Sequence, residues 1–280
     1  MNVTKERELH RAYRRCKRMQ LRHDPTFFWA TSRLPRDVRP AVHALYGYVR
    51  GADELVDGAG PGVSADARRR ALDGWERALI DGRRAGRSDH PVIAALVDAA
   101  RRHDLPLDEL GVYMDSMRVD CGRVRIASRD ELDRYMNGSA AAVGRLMAPL
   151  LGCDEPEEVA QLGVAFQLTN FIRDVREDYA LDRVYLPGLP EDELARGEAG
   201  AAVRERVAAE VGRARELFAR TADVPDRCER AVAPGMRLAR SVYARVLDRV
   251  EVLGFDVVRR SADLPPWDMA RAAVGGLRAA

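Results

Sequence analysis

Apolar positions recur at three- and four-residue intervals along almost the whole chain, and convincing two-residue alternation is hard to find. The periodicity predicts helices over about residues 4–22, 37–57, 64–82, 90–102, 107–121, 129–151, 155–180, 200–221, 229–252 and 265–278. Breakers separate them: Gly58 to Gly62, Gly86 to Pro91, Asp104 to Pro106, Gly152 to Pro156, Pro187 to Pro190, and Pro265-Pro266. Asp89, Ser128 and Asp154 read as N-caps, and Glu131 three residues after Ser128 makes a capping box. No repeat, low-complexity tract or long linker divides the sequence, so the expectation is one all-α domain over residues 1–280.

Two helices place polar residues beside their apolar faces. In "VHALYGYVRGADELVD", Tyr46, Arg50, Asp53 and Asp57 are spaced by four, three and four. At 100° per residue they fall within a sector of about 60°, one above another. Val42, Leu45, Val49 and Val56 fill the neighbouring sector. In "QLTNFIRDVREDYALDRVYLP", Gln167, Asn170, Asp174 and Asp178 share a sector of about 80°. Leu162, Phe166 and Ile172 lie on or near that side. Two such helices facing one another would bring four carboxylates to the mouth of an apolar cavity.

Four anions at such a place repel one another and lose solvation, so each must be protonated, paired or metal-bound. Hard oxygen donors suit Mg²⁺, which completes its shell with water and substrate phosphates. Arg50 and Arg173, close by, suit diphosphate oxygens. That chemistry is metal-assisted departure of diphosphate from an apolar substrate. Arg50 with Asp53, or Arg173 with Glu177, can equally be ordinary ion pairs along a helix. Pattern alone leaves both readings open.

Composition narrows the classes. A net charge of +2 over 280 residues gives no overall footprint for nucleic acid. The arginine patches at Arg68 to Arg70, Arg83-Arg84 and Arg101-Arg102 alternate with acids and read as solvated helix faces. Cys16, Cys121, Cys153 and Cys228 form no CxxC pair and read as reduced thiols of a cytoplasmic protein, with no zinc site. The opening "MNVTKERELHRAYRR" does not read as a signal peptide, and no stretch reaches the roughly 20 apolar residues of a spanning helix. No long heptad run appears, so the expectation is a monomer or weak homodimer.

Four blocks in order carry a resemblance. "LPRDVRPAVHALYGYVRGADELVD" and "QLTNFIRDVREDYALDRVYLP" resemble the two aspartate-rich segments of the squalene/phytoene synthases, which join two prenyl diphosphates head to head. "MDSMRVD" and "YMNGSAAAVGRLMAPLLG" resemble the family's two intervening segments, and the likeness runs from about Tyr13 to Tyr243. The resemblance implies an isoprenoid-synthase-type helical bundle around a central apolar cavity. It implies that Asp53, Asp57, Asn170, Asp174 and Asp178 bind Mg²⁺, with Mn²⁺ as a substitute, together with diphosphate. By the same likeness Gln167 lines the reaction centre, Tyr46 sits near the departing group, Arg50 and Arg173 hold diphosphate, and Tyr135 faces the cavity. Arg183 and Tyr185 match the loop that closes over phosphate, and His23 and Thr26 match a phosphate-contacting segment. Phe27, Phe28, Val143, Leu146, Met147 and Phe166 are expected as apolar walls, with plain core packing as the alternative for each. Arg176 and Asp182 stand where the family commonly has glycine, and Ala141 replaces another, which would narrow the tail channel by a methyl.

The implied reaction ionises one allylic diphosphate, attacks the cation with the double bond of a second substrate, and passes through a cyclopropylcarbinyl diphosphate. "HDPTFFWATSRLP" and "HALYGYVRGAD" look like the bacterial phytoene synthases, so the expectation is two C20 substrates and proton loss. NADPH is not expected, because no GxGxxG follows a strand, although that absence is weak evidence. Peripheral membrane contact for product release stays open. The alternatives are a C15-using dehydrosqualene, presqualene or squalene synthase, a single-substrate class I terpene cyclase, and a non-catalytic assembly factor of the same fold. All four motif aspartates are present, which counts against the last.

Overall fold

The computed structural model describes residues 3–58, 60 and 62–264, without the side chains of residues 3, 4, 26 and 30. The helix expected over 265–278 and its Pro-Pro breaker lie outside the described residues. The chain folds as α1 (Val3–His23), α2 (Pro25–Thr31), α3 (Arg39–Asp57), α4 (Ala65–Ala85), α5 (Pro91–His103), α6 (Glu109–Val119), β1 (Val124–Arg125) and α7 (Arg129–Met136). A π-helical turn (Asn137–Ala141), α8 (Ala142–Met147) and a 3₁₀ turn (Ala148–Leu151) follow. Then come α9 (Pro156–Arg173), α10 (Val175–Ala180), β2 (Arg183–Val184), α11 (Glu191–Ala195), α12 (Ala201–Arg220), α13 (Val224–Arg227) and α14 (Ala233–Val252).

The helix ends follow local chemistry. Ser64 Oγ accepts the Ala67 N–H at the start of α4, and Gly86 closes that helix in the left-handed conformation. At α7 the Ser128 hydroxyl accepts the Glu131 N–H, while Glu131 reaches back to the Ala127 N–H, the expected box shifted by one residue on its return arm. Asp89 and Asp154 are not caps: α5 and α9 begin one residue later than predicted, at Pro91 and Pro156, whose fixed φ suits a first turn.

Two predicted long helices are interrupted. The stretch 129–151 holds the π turn and the 3₁₀ end, and 155–180 breaks at Asp174 (φ −98°, ψ 15°). The short helices α2, α11 and α13, and the parallel pairing of β1 with β2, escape a periodicity argument because each is too brief to carry a period.

Helix α9 is the centre of the bundle, packed on α8, the π turn, α12 and α14. Its buried residues (Val159, Ala160, Leu162, Val164, Ala165, Leu168, Thr169, Phe171, Ile172) fall on more than one face, as a helix surrounded by helices requires. Gly144 lets α8 approach closely: a Cβ there would lie 2.6 Å from Ala160 Cα. Helices α1, α3 and α5 form a second packed group, and α2 spans from α1 to α14.

Candidate active site

Between α2, the π turn, α8, α9 and α14 lies a cavity of about 250 Å³. Phe27, Val143, Met147, Phe166, Gln167 and Asn170 line it, as expected of the apolar walls and the inner end of the second polar stripe. Four expected positions are elsewhere. Phe28 stacks on His43, Leu146 is fully buried and is not part of the cavity lining, and Ala141 is buried while Ala140 lines the cavity. The methyl of Ala141 therefore does not narrow the channel. Tyr135 is the fourth: its hydroxyl is held by Asp120 at 2.6 Å, which turns it away from the cavity.

The second stripe survives the break in its helix. The Asp174 N–H bonds the Asn170 carbonyl and the Asp178 N–H bonds the Asp174 carbonyl, both at 2.8 Å, so the helical rise continues through the opened residue. The Arg173 guanidinium makes a two-pronged ion pair with Asp174, both contacts 2.6 Å. These two residues, expected to meet diphosphate and metal respectively, hold each other in this structure.

The first stripe runs along α3. Asp53 accepts a hydrogen bond from the buried Tyr113 hydroxyl at 3.0 Å, and Asp57 pairs with Arg183 at 2.5 Å. His23 and Arg50 both approach Glu54 at 3.5 Å, a residue left out of the expected site. Tyr46 is partly buried against the Phe27 ring, and burial pushes its hydroxyl up to about 12. Thr26 lies on α2, and its side chain is outside the described residues.

Asp120 is the residue that sequence reasoning missed. It is 6% exposed and accepts hydrogen bonds from both Tyr135 and Tyr185, while Arg183 donates to its backbone carbonyl at 3.1 Å. Arg183 thus joins the end of α6 to Asp57 on α3, and lines a small crevice with Asp178 and Tyr185. The signal was present in the "MDSMRVD" block and the tyrosine before it: Tyr113, Ser116 and Asp120 repeat the three-four spacing of the two stripes. Tyr243, on α14, also lines the cavity and was not expected.

Asp57 and Asp174 have arginine partners, whereas three other carboxyls of the site are held above their usual range by burial. Burial raises Asp53 to about 6, against the opposing pull of Tyr113 and Arg50. Burial likewise raises Asp120 to about 6. Asp178 is pushed up to about 8, first by burial and then by the Asp174 charge. The Nε groups of Arg50 and Arg183 are buried without a hydrogen-bond partner among the described residues. Among those residues no three acidic, His or Cys side chains converge as a preformed metal cluster. The donor set nevertheless fits a hard divalent cation: aspartates and an asparagine amide, with buried carboxyls at Asp53 and Asp178 whose ionised forms such an ion would stabilise.

Asp182 has φ of +60°, which explains why glycine suits this position. Its carboxylate and carbonyl both accept from Arg125 at 2.6 Å, holding the strained turn before β2. Arg176 is exposed on α10, so neither glycine replacement lines the cavity.

A family profile described as squalene/phytoene synthase matches residues 21–270. The phytoene synthase of Thermus thermophilus is 32% identical over 89% of this chain and 86% of its own length. That of Arthrospira platensis is 30% identical over 91% of this chain and 89% of its own. A dehydrosqualene synthase crystal structure has the same fold, with TM-score 0.87, 21% identity and 98% of each chain covered. The squalene synthase HpnC of Alicyclobacillus acidocaldarius superposes with TM-score 0.80 at 26% identity, covering 89% of this chain and 96% of its own. The chain is a prenyltransferase and belongs to the squalene/phytoene synthase family.

Proposed function

We propose that this enzyme condenses two prenyl diphosphates head to head in a Mg²⁺-dependent reaction, with two geranylgeranyl diphosphates giving phytoene. The observation that carries the reading is the continuity of one helical path. Gln167 and Asn170 line the apolar cavity, and the same path leads within about three turns to Asp174 and Asp178. An allylic tail in the cavity would place its diphosphate at the carboxylates. The relatives named phytoene synthase support the C20 substrate.

Asp53, Asp57, Asn170, Asp174 and Asp178 are the groups to hold the metal. Bound Mg²⁺ supplies charge stabilisation to the departing diphosphate. Arg183 brings a buried Nε–H without a hydrogen-bond partner among the described residues, Arg50 Nε has only the Glu54 carboxylate at 3.5 Å, and Arg173 has a planar fork; guanidinium groups of this kind suit phosphate oxygens. Tyr46 sits between this polar end and Phe27 on the cavity wall. The apolar lining positions the chains and keeps water from the allylic cation. The contiguous hydrophobic core, which runs from Ala12 to Ala262 among the described residues, supports reading the chain as a single domain.

A second reading uses C15 substrates. It is favoured by the likeness to a squalene synthase and a dehydrosqualene synthase. Incubation with Mg²⁺ and C10, C15 or C20 diphosphates, with and without NADPH, separates the readings by product mass. A C40 hydrocarbon from the C20 substrate is expected without NADPH. A C30 product made only from the C15 substrate selects the second reading. No prenyl-derived hydrocarbon or alcohol from any substrate overturns both.

A further inference from the structure

The charge of this chain is unevenly placed. Residues 1–40 carry eleven Arg or Lys against four Asp or Glu, a surplus of seven, while the whole chain is +2 and the remainder therefore carries a deficit of five. On α1 the surplus is organised. Arg7, Arg11, Arg14, Arg18 and Arg22 are spaced by four, three, four and four, which places them within a sector of about 80° along some 22 Å of helix. All five are exposed, opposite the buried face of Ala12, Cys16 and Gln20. Glu6 and Glu8 lie to either side of the stripe.

These arginines differ from the many others in the molecule that are paired with acids. Ion pairing among the described residues begins, along the chain, at His23 with Glu54, and none of the five takes part in any pair. Many guanidinium groups elsewhere are paired with acids: Arg118 with Asp73, Arg145 with Glu109, Arg215 with Asp248. An unneutralised row of cations raises the molecule's own electrostatic energy, and an external polyanion relieves it.

At the C-terminal end of the stripe the surface turns apolar. Leu21 is 50% exposed, Trp29 58% and Phe27 37%. The Arg33 guanidinium lies over the Trp29 ring, 5.5 Å from its centroid. Phe27 is also a wall of the cavity, so α2 is the partition between that cavity and this surface. Arginines beside an exposed tryptophan and leucine match a bilayer interface, where cations meet lipid phosphates and the rings sink to the headgroup boundary.

We infer that the outer face of α1 and α2 docks on membranes rich in anionic phospholipid, bringing the Phe27 side of the cavity to the apolar phase. The inference rests on the proposed reaction for its purpose, since a hydrocarbon product is poorly soluble in water. Docking itself needs neither substrate nor metal, so its test stands apart from the activity assay.

The experiment is co-sedimentation of the full chain with phosphatidylcholine vesicles, with and without phosphatidylglycerol. Binding to the anionic vesicles alone is expected, weakening as salt is raised. In the double variant Arg14→Gln/Arg18→Gln, affinity should fall about 25-fold, at about fivefold per charge near an anionic surface. Trp29→Ser should reduce binding at every salt concentration. Arg84→Gln/Arg87→Gln, an equal loss of exposed charge at the α4–α5 turn, should leave it unchanged. Each variant's unfolding midpoint checks that the fold is kept. Absence of vesicle binding, equal binding to pure phosphatidylcholine, or indifference to the Arg14/Arg18 change overturns the inference. So does retention on RNA or duplex DNA without binding to vesicles.

Discussion

Replacing Asp53 by Asn should make the metal-free protein more stable while removing its activity. Asp53 is partly buried on α3, and its carboxyl is raised from 3.8 to about 6, chiefly by burial and then against Tyr113 and Arg50. A carboxyl with a folded value above its unfolded one binds protons more tightly when folded. Native stability is therefore lost as pH rises from about 4 through about 6, and stays lost above that. At about 1.4 kcal/mol per unit, a rise of roughly two units sets an upper bound of about 3 kcal/mol. Asn keeps the shape and an oxygen to accept the Tyr113 hydroxyl, so much of that penalty should be recovered. The assay is urea unfolding of both proteins in chelator at about pH 7.5 and about pH 4, which brackets the transition. The variant should lead by about 1–3 kcal/mol at the higher pH and by little at the lower. Added Mg²⁺ should raise the wild type more than the variant. A variant less stable at the higher pH, or a difference that does not change with pH, refutes the reasoning.

Three further expectations concern the frame around the site. Asp120→Ala should destabilise by about 3–5 kcal/mol in chemical denaturation, because it strands the buried Tyr135 and Tyr185 hydroxyls; Asp120→Asn, retaining one acceptor, should cost about half as much. His43 donates its Nδ1–H to Gln20 Oε1, is stacked on Phe28, and is lowered to about 4 by burial and then by Lys17 and Arg39. Its depressed value means that stability is complete above about 6.5 and falls by up to about 3 kcal/mol as pH drops to about 4, a slope that His43→Gln should abolish in pH-dependent unfolding. Asp182→Gly should be within about 1 kcal/mol of wild type, since relief of the left-handed backbone offsets the lost Arg125 contact, whereas Asp182→Ala keeps the strain and should cost about 1–2 kcal/mol in unfolding midpoint analysis.

The polar stripes were legible because a helix converts spacing into direction: Asp53 and Asp57, or Asn170 and Asp174, need only the 100° rule to share a face. The long helices were legible for the same reason. What periodicity could not supply was the interruption at Asp174, where hydrogen bonding from Asn170 to Asp178 continues although the dihedrals open. Nor could it supply the π turn at Asn137–Ala141, which depends on packing against α6 and α9. Tyr135 was placed by likeness at the cavity, but a buried carboxylate fifteen residues earlier holds its hydroxyl. Asp120 itself sits just past the end of α6, where a helical stripe leaves no further turn to confirm it. The Arg183 bridge to Asp57 joins residues 126 positions apart, a contact that only the assembled fold can bring about.

At the centre of the proposed reaction, both aspartate stripes are needed for the metal-assisted departure of diphosphate. The direct measurement is turnover of C20 diphosphate with Mg²⁺ by wild type, Asp53→Asn and Asp174→Asn, each with its unfolding midpoint. The account predicts that either single substitution lowers turnover by about a thousandfold or more while the fold is retained, because each removes charge stabilisation of the leaving group. Turnover within a few-fold of wild type in either folded variant would contradict it.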